Sequence, residues 1–310
     1  MRKVYRFSEG KLAENTDSDE GMLWVYINPD ETEKRYLVEQ LKLDEHTLNS
    51  SLDPDELSRL EFESDHMALI FKRPRNVSSA DFLQLKVNSA GLFLFKERLI
   101  MVLPEDVPLF AGSVKALSRL PATPTLLMLG MIYRSISHFL EHLKVINLIS
   151  GDLEQKINTA IDNKFLIGLF TLEKSLVYYL NAIHSNGLVI EKLRSHAAKV
   201  GLSPEETQLL DDIFVDNSQC YKQADIYSNI LAGMMDARVS VVSNNLNQLM
   251  KTLNIIMLTL MAPTLIVSLF SMNMKHPLST MESIWPFWIV VVLCFISVGS
   301  VFYFWKKNKW

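Results

Sequence analysis

Hydrophobic and polar positions change rhythm three times along this chain. Between residues 22 and 103 the apolar residues come in short runs, 22–27, 67–71, 91–95 and 99–103, closed by Asn28-Pro29 after the first and Pro104 after the last. Runs of that length bounded by turn residues predict strands. Residues 82–87 alternate in part, and Tyr36, Leu37, Leu41 and Leu43 give residues 30–43 a helical spacing. These signals together predict an α/β domain with a mixed sheet.

From Pro124 the strand signals stop, and residues 126–161 and 163–200 predict two long helices. A stop and a restart follow at Gly201-Leu202-Ser203-Pro204-Glu205-Glu206. Ser203 is placed to be the N-cap, Pro204 takes the first helical position and Glu206 completes a capping box. The next proline is Pro263, so one helix is predicted from 204 to about 270, on the order of 100 Å long at 1.5 Å per residue. Such a length is too great for a soluble domain alone. Gly233 is a weak point within it.

The third rhythm is the absence of charge. Between Lys251 and Lys275 lie about 23 uncharged residues, enough for a helix to cross a bilayer. Asn247, Met250, Asn254, Met257, Met261, Thr264, Ser268 and Ser271 recur just before it and through it at spacings of 3 and 4, which sets them on one helical stripe. That stripe has two readings, helix–helix packing through small and hydroxylic residues or the wet face of a pore. A second apolar span covers roughly 284–305. The architecture expected is an α+β domain, a very long stalk helix and two transmembrane helices. The divisions fall at 1–122, 123–250 and 251–310, with a short external loop at 272–283.

Basic flanks orient the spans. Lys306, Lys307 and Lys309 follow the second, and Arg238 and Lys251 precede the first, which predicts both termini in the cytoplasm of a multi-pass inner (plasma) membrane protein. Residues 1–10 have no apolar core, so no signal peptide is expected. Trp285, Trp288, Tyr303, Trp305 and Trp310 stand where interfacial aromatics belong. A net charge of −4 and no basic, aromatic-interleaved patch give no sign of nucleic-acid binding. Cys220 and Cys294 are far apart and predict no disulfide.

No glycine-rich phosphate loop or nucleophile–His–acid set is present, and no enzyme is expected. His138-Phe139-Leu140-Glu141-His142 spells H-x-x-E-H, which places two His at i and i+4 on one helix face. A zinc pair or a plain polar helix face are the readings open for it.

Residues 243–253 (SNNLNQLMKTL), Pro263-Thr264-Leu265-Ile266, Ser271-Met272-Asn273 and the basic tail 303–310 resemble the CorA family of divalent metal-ion transporters. Residues 24–29, 52–54 and 61–62 are similar to its soluble domain. The resemblance is strongest over 236–310 and collinear over the rest. It implies a homopentamer in the lipid membrane, with a funnel-shaped cytoplasmic domain and the first span lining the pore. It further implies Asn247, Met250, Leu253 or Asn254, Met257, Met261, Thr264 and Ser268 as pore-lining, with Ser271, Met272 and Asn273 as the selectivity filter. Mg²⁺ holds its water shell tightly, so a ring of Asn273 carbonyl oxygens would accept hydrogen bonds from the hydrated ion. Met250, Met257 and Met261 would make apolar constrictions.

Two departures stand out. Ser271 replaces the glycine of the Gly-Met-Asn signature, at a cost of about 1 kcal/mol or more if that position needs positive φ. Lys275-His276 stand where acidic residues are frequent in the family, with Glu282 the one acid of the loop. By the same resemblance, Asp212 matches the position of a regulatory ion between subunits, with Asp65 a candidate partner; a solvated acidic face is the other reading. The expectation is a passive, potential-driven Mg²⁺ channel gated by intracellular cation. The alternatives are a ZntB-type Zn²⁺ transporter with proton coupling and a non-conducting membrane scaffold.

Overall fold

The structure is a computed structural model, which describes residues 1–8, 11–14, 21–75, 84–106, 123–159, 164–272 and 284–308. The chain divides into two compact units, Met1–Met235 and Asp236–Trp310.

The first unit is built on a seven-stranded sheet. Its strands are β1 (Arg2–Ser8), β2 (Lys11–Glu14), β3 (Leu23–Ile27), β4 (Arg59–Phe62), β5 (Met67–Pro74), β6 (Val87–Leu94) and β7 (Leu99–Leu103), in the order β2-β1-β3-β7-β6-β5-β4. Neighbours are antiparallel except β3 and β7, which run parallel with Leu23 opposite Leu99. Strand side chains alternate between faces. Leu23, Val25, Leu99, Met101 and Leu103 enter one core, together with helices α3 (Pro124–Thr159), α4 (Lys164–Ser195) and the start of α6 (Pro204–Phe270). Trp24, Tyr26, Ile100 and Val102 enter the other, with Leu37 of α1 (Glu31–Glu39) and Leu48 of α2 (Glu45–Ser50). A sheet covered on both faces reads in sequence as unbroken apolar runs, which is why β3, β5 and β7 were visible there.

Several boundaries differ from the sequence expectation. The helix expected over 30–43 ends at Glu39, because Lys42 takes a left-handed φ of 54° and Asp44 then caps α2. Residues 84–86 precede β6 instead of belonging to it, while 82 and 83 lie outside the described residues. The helix expected to reach 200 breaks at His196 into α4 and the four-residue α5 (Ala197–Val200). The edge strands β2 and β4, and β1 beside β2, carry too few apolar residues for the pattern to register.

Helix α4 is joined to the sheet by the buried Asn186 amide and by Lys192, which donates to Leu60 O at 2.7 Å. Asn186 accepts from the backbone N–H of Lys72 (2.8 Å) and donates to its carbonyl (2.9 Å), continuing the hydrogen bonding that β4 leaves when its pairing stops at Ile70. Ser58 Oγ donates to the same amide oxygen at 2.7 Å. The start of α6 follows the expected chemistry. Gly201 sits at φ 79°, the Glu206 N–H donates to Ser203 Oγ (3.1 Å), and the Ser203 N–H donates to Glu206 Oε2 (2.9 Å). The other Glu206 oxygen accepts from the hydroxyls of Thr123 and Thr125, both at 2.6 Å, which ties the N-termini of α3 and α6 together. Burial is the largest single effect on its carboxyl and raises it, but these bonds together outweigh burial and hold it below the usual range. Helix α6 then continues through residue 236 into the second unit, whose other element is α7 (Trp285–Asn308).

Candidate functional site

Two helices, α6 and α7, are long and apolar enough to cross a membrane. Within the second unit Ile255, Thr259, Ala262, Pro263, Ile266 and Phe270 form the half-buried side of α6, and Pro263 on that side lies against α7. Their counterparts on α7 include Val290, Val291, Cys294 and Val298, and the Cys294 thiol points at the Pro263 carbonyl at 3.8 Å. Pro263 has no N–H, so its place on this seam removes one backbone bond from the helix.

The polar stripe lies elsewhere. Asn247, Met250, Leu253, Asn254, Met257, Met261, Thr264, Ser268, Ser271 and Met272 are all exposed. At 100° per residue their mean direction is opposite to the face that α7 covers. Packing against the chain's own second span therefore does not account for the stripe. In hydrocarbon such polar groups must meet protein or water.

The hydroxyls of Thr264 and Ser271 on this face share an orientation. Thr264 Oγ1 donates to Leu260 O (2.6 Å), and Ser271 Oγ donates to Ser268 O (2.9 Å). With each proton committed to the helix backbone, the oxygen presents lone pairs outward. A metal-bound water directs its hydrogens away from the ion, so acceptors are what a hydrated cation requires. Ser271 also keeps a helical bond from its N–H to Val267 O (2.9 Å). Among the described residues other than glycine, positive φ occurs at Asn28 and Lys42, not at Ser271. The strain expected from serine in place of glycine is not incurred. Asn273, and with it Lys275-His276 and Glu282, lies outside the described residues.

The candidate regulatory carboxylates are both exposed, Asp65 in the turn between β4 and β5 and Asp212 on α6. Asp211 beside it is engaged by Arg194 Nε at 2.6 Å. Asp212 instead faces Asp216, whose carboxyl is raised by burial and then by the charge of Asp212. Asp216 was missed in the sequence, although its i, i+4 spacing from Asp212 was the available signal. Among the described residues no group of three or more metal-ligating side chains forms within the chain. Asp65 and Asp212 are thus not gathered into one such group.

The H-x-x-E-H motif on α3 brings its two histidines together and turns its glutamate away from them. His138 and His142 are half-buried with ring centroids 4.4 Å apart, and His142 Nδ1 is 2.6 Å from the Tyr179 hydroxyl. Glu141 turns out to solvent toward Arg134 at 3.5 Å. Burial first, then the charges of His142, Arg73 and Arg134, push His138 down to about 4. Two neighbouring guanidinium groups oppose a bound cation.

A family model for the CorA-like Mg²⁺ transporter protein matches residues 19–307, taking in strands β3 to β7, the long helix α6 and nearly all of α7. The chain belongs to that family. This CorA-family divalent-cation transporter is 23% identical over 319 residues to the cobalt/magnesium transport protein CorA of Methanocaldococcus jannaschii, covering 97% of this chain and 95% of that one. Its fold matches the complete structure of the CorA magnesium transporter from the same organism with a TM-score of 0.82, at 19% identity, over 99% of this chain and 98% of the other. It also matches the ZntB cytoplasmic domain from Vibrio parahaemolyticus, with a TM-score of 0.58 and 14% identity over 78% of this chain and 98% of that domain.

Proposed function

We propose that this protein conducts Mg²⁺ passively through a homopentameric pore lined by the polar stripe of α6, with both termini in the cytoplasm. The observation that carries this reading is the separation of faces on α6. One side is taken by α7, and the acceptor-bearing side is left for other copies of the same helix and the water between them. Five helices related by a closed rotation would bring Asn247, Asn254, Thr264 and Ser268 toward one axis, with the Met250, Met257 and Met261 rings between them. Asn273 would form the filter at the outer end. The name of the Methanocaldococcus relative, a cobalt/magnesium transport protein, supports this choice of ion.

The driving force is the membrane potential, about 4.6 kcal/mol per 100 mV for a divalent ion. Gating follows from the acidic pair on α6. Without a cation, Asp212 and Asp216 of one subunit and a carboxylate such as Asp65 of the next repel each other, which favours a loosened, conducting ring. Bound Mg²⁺ closes it.

Ion uptake into proteoliposomes tests this reading, with Mg²⁺, Co²⁺, Ni²⁺ and Zn²⁺ supplied separately under an imposed potential or pH gradient. Potential-driven Mg²⁺ entry that Asn273→Ala abolishes is expected. Zinc uptake that follows the pH gradient would move the assignment to a ZntB-type transporter, the reading favoured by the likeness to the ZntB domain and the altered Ser271-Met272-Asn273 triplet. A well-folded protein that passes no ion would leave a membrane scaffold.

A further inference from the structure

A cleft of about 370 Å³ opens in the first unit between α4 and the ends of β5 and β6, away from every residue assigned above. One wall is a single face of α4. Lys174, Tyr178 and Asn181 follow one another there at i, i+4 and i+7, all three exposed. None of the three has a hydrogen bond or ion pair among the described residues. The opposite wall carries Lys86 and Arg75, and the buried Lys72 lies at the base.

The charge balance of this lining is one-sided. Asp55 is the acid that reaches the cleft among the described residues, against four cationic side chains, of which Lys86 is already engaged elsewhere and Lys174 is not. Arg75 shares its charge with Glu105 at 3.2 Å. Lys72 donates to Pro54 O (2.7 Å) and Ser89 Oγ (2.9 Å), and of its three ammonium hydrogens these bonds leave one. Burial lowers Lys72, and the nearby charges of Asp53, Asp55 and Glu56 only partly offset this, so an added anion would favour its charged form. Like charges converging on a concave surface are destabilising unless a counter-charge joins them. The walls are also partly apolar, with Leu57, Leu85 and Ala182 beside the exposed Tyr178 ring. Such a surface suits a planar group joined to an anion.

From this arrangement we propose that the cleft binds a soluble nucleoside phosphate, its phosphates held by Lys174, Lys86 and Arg75 and its base laid on Tyr178. The site is independent of the conduction pathway, and its occupancy is read by binding alone.

Calorimetric titration of the full-length protein in detergent, in metal-free buffer, provides the test. ATP, AMP, ribose 5-phosphate and inorganic phosphate are titrated separately. Saturable binding of ATP at one site per chain is expected, tighter than that of ribose 5-phosphate and weakened about tenfold or more by Lys174→Glu. Tyr178→Leu should remove the preference for AMP over ribose 5-phosphate while leaving inorganic phosphate unchanged. Both positions are exposed on α4, and unchanged melting curves for the unliganded variants verify that they fold. Asn181→Ala provides a second, uncharged probe of the same wall and should also weaken ATP. No saturable heat with any anion at millimolar concentration would overturn the proposal, as would ATP binding indifferent to Lys174→Glu and Asn181→Ala. Inorganic phosphate binding as tightly as ATP would overturn the nucleoside assignment.

Discussion

Single residues in this protein carry effects that burial and partners make calculable. Asn186 is fully buried and serves three partners, the two backbone groups of Lys72 and the Ser58 hydroxyl. Asn186→Leu fills similar volume but strands them, at a cost of about 2–4 kcal/mol. A denaturant midpoint lowered by that amount at unchanged slope is the expected result. Gly91 is constrained by space, since an added Cβ would lie 2.6 Å from the Ser51 Cβ and 2.9 Å from the Phe93 ring. Gly91→Ala should destabilise by about 1–3 kcal/mol, seen as a lower melting temperature. His138 gives the first unit a pH dependence. Its value falls from 6.5 to about 4 on folding, so the unfolded chain binds the extra proton between those limits. Stability is fully present above about 6.5, falls as the pH drops toward 4, and levels off below. The whole shift corresponds to about 3 kcal/mol, and screening at a half-buried site reduces this to about 1–2 kcal/mol. Removing the titrating group in His138→Phe should flatten that window in urea titrations run from pH 7 to 4.

At the scale of elements, what the sequence disclosed depended on how strongly each element depends on its own residues. The start of α6 was legible because Ser203, Pro204 and Glu206 encode it locally, and the same residues make those bonds in the structure. Strands β3, β5 and β7 were legible because both their faces are buried. The N-terminal β1 and the polar β4 were not, because pairing across the sheet defines them and no apolar pattern does. The second α3 histidine was readable as a motif, but its burial against Tyr179, from a helix 37 residues away, was not. The stripe on α6 was visible from spacing alone; which face α7 takes is decided by packing that spacing does not encode. Gly233 in α6 faces open space, and a Cβ added there would have nothing within 4 Å. Gly233→Ala should therefore add about 1 kcal/mol of helix stability with no clash, measurable as slower amide exchange along α6.

For the whole molecule, the proposed pore requires that the striped face of α6 meet other copies. Cysteine placed at Met257, in a background with Cys220→Ser and Cys294→Ser, reports on this directly. In the pentameric arrangement Met257→Cys approaches its symmetry mates and forms disulfide-linked dimers under mild oxidation. Ile266→Cys, on the α7 seam, should not. Equal cross-linking at both positions would reject the assigned pore face. Asp212→Asn tests the regulation at the same scale. It removes one of the two mutually repelling carboxylates and should weaken the closure of flux by intracellular Mg²⁺, with the filter unaltered.

The stripe has one more property. From Thr252 to Met272 the helix contains no side chain that gains or loses a proton near neutral pH. Its threonine and serine hydroxyls at 264 and 271 have already given their hydrogens to the backbone. Along this stretch the proposed conduit holds no group whose charge changes near neutrality, so Mg²⁺ flux through the span should be the same at about pH 6.5 and about pH 8.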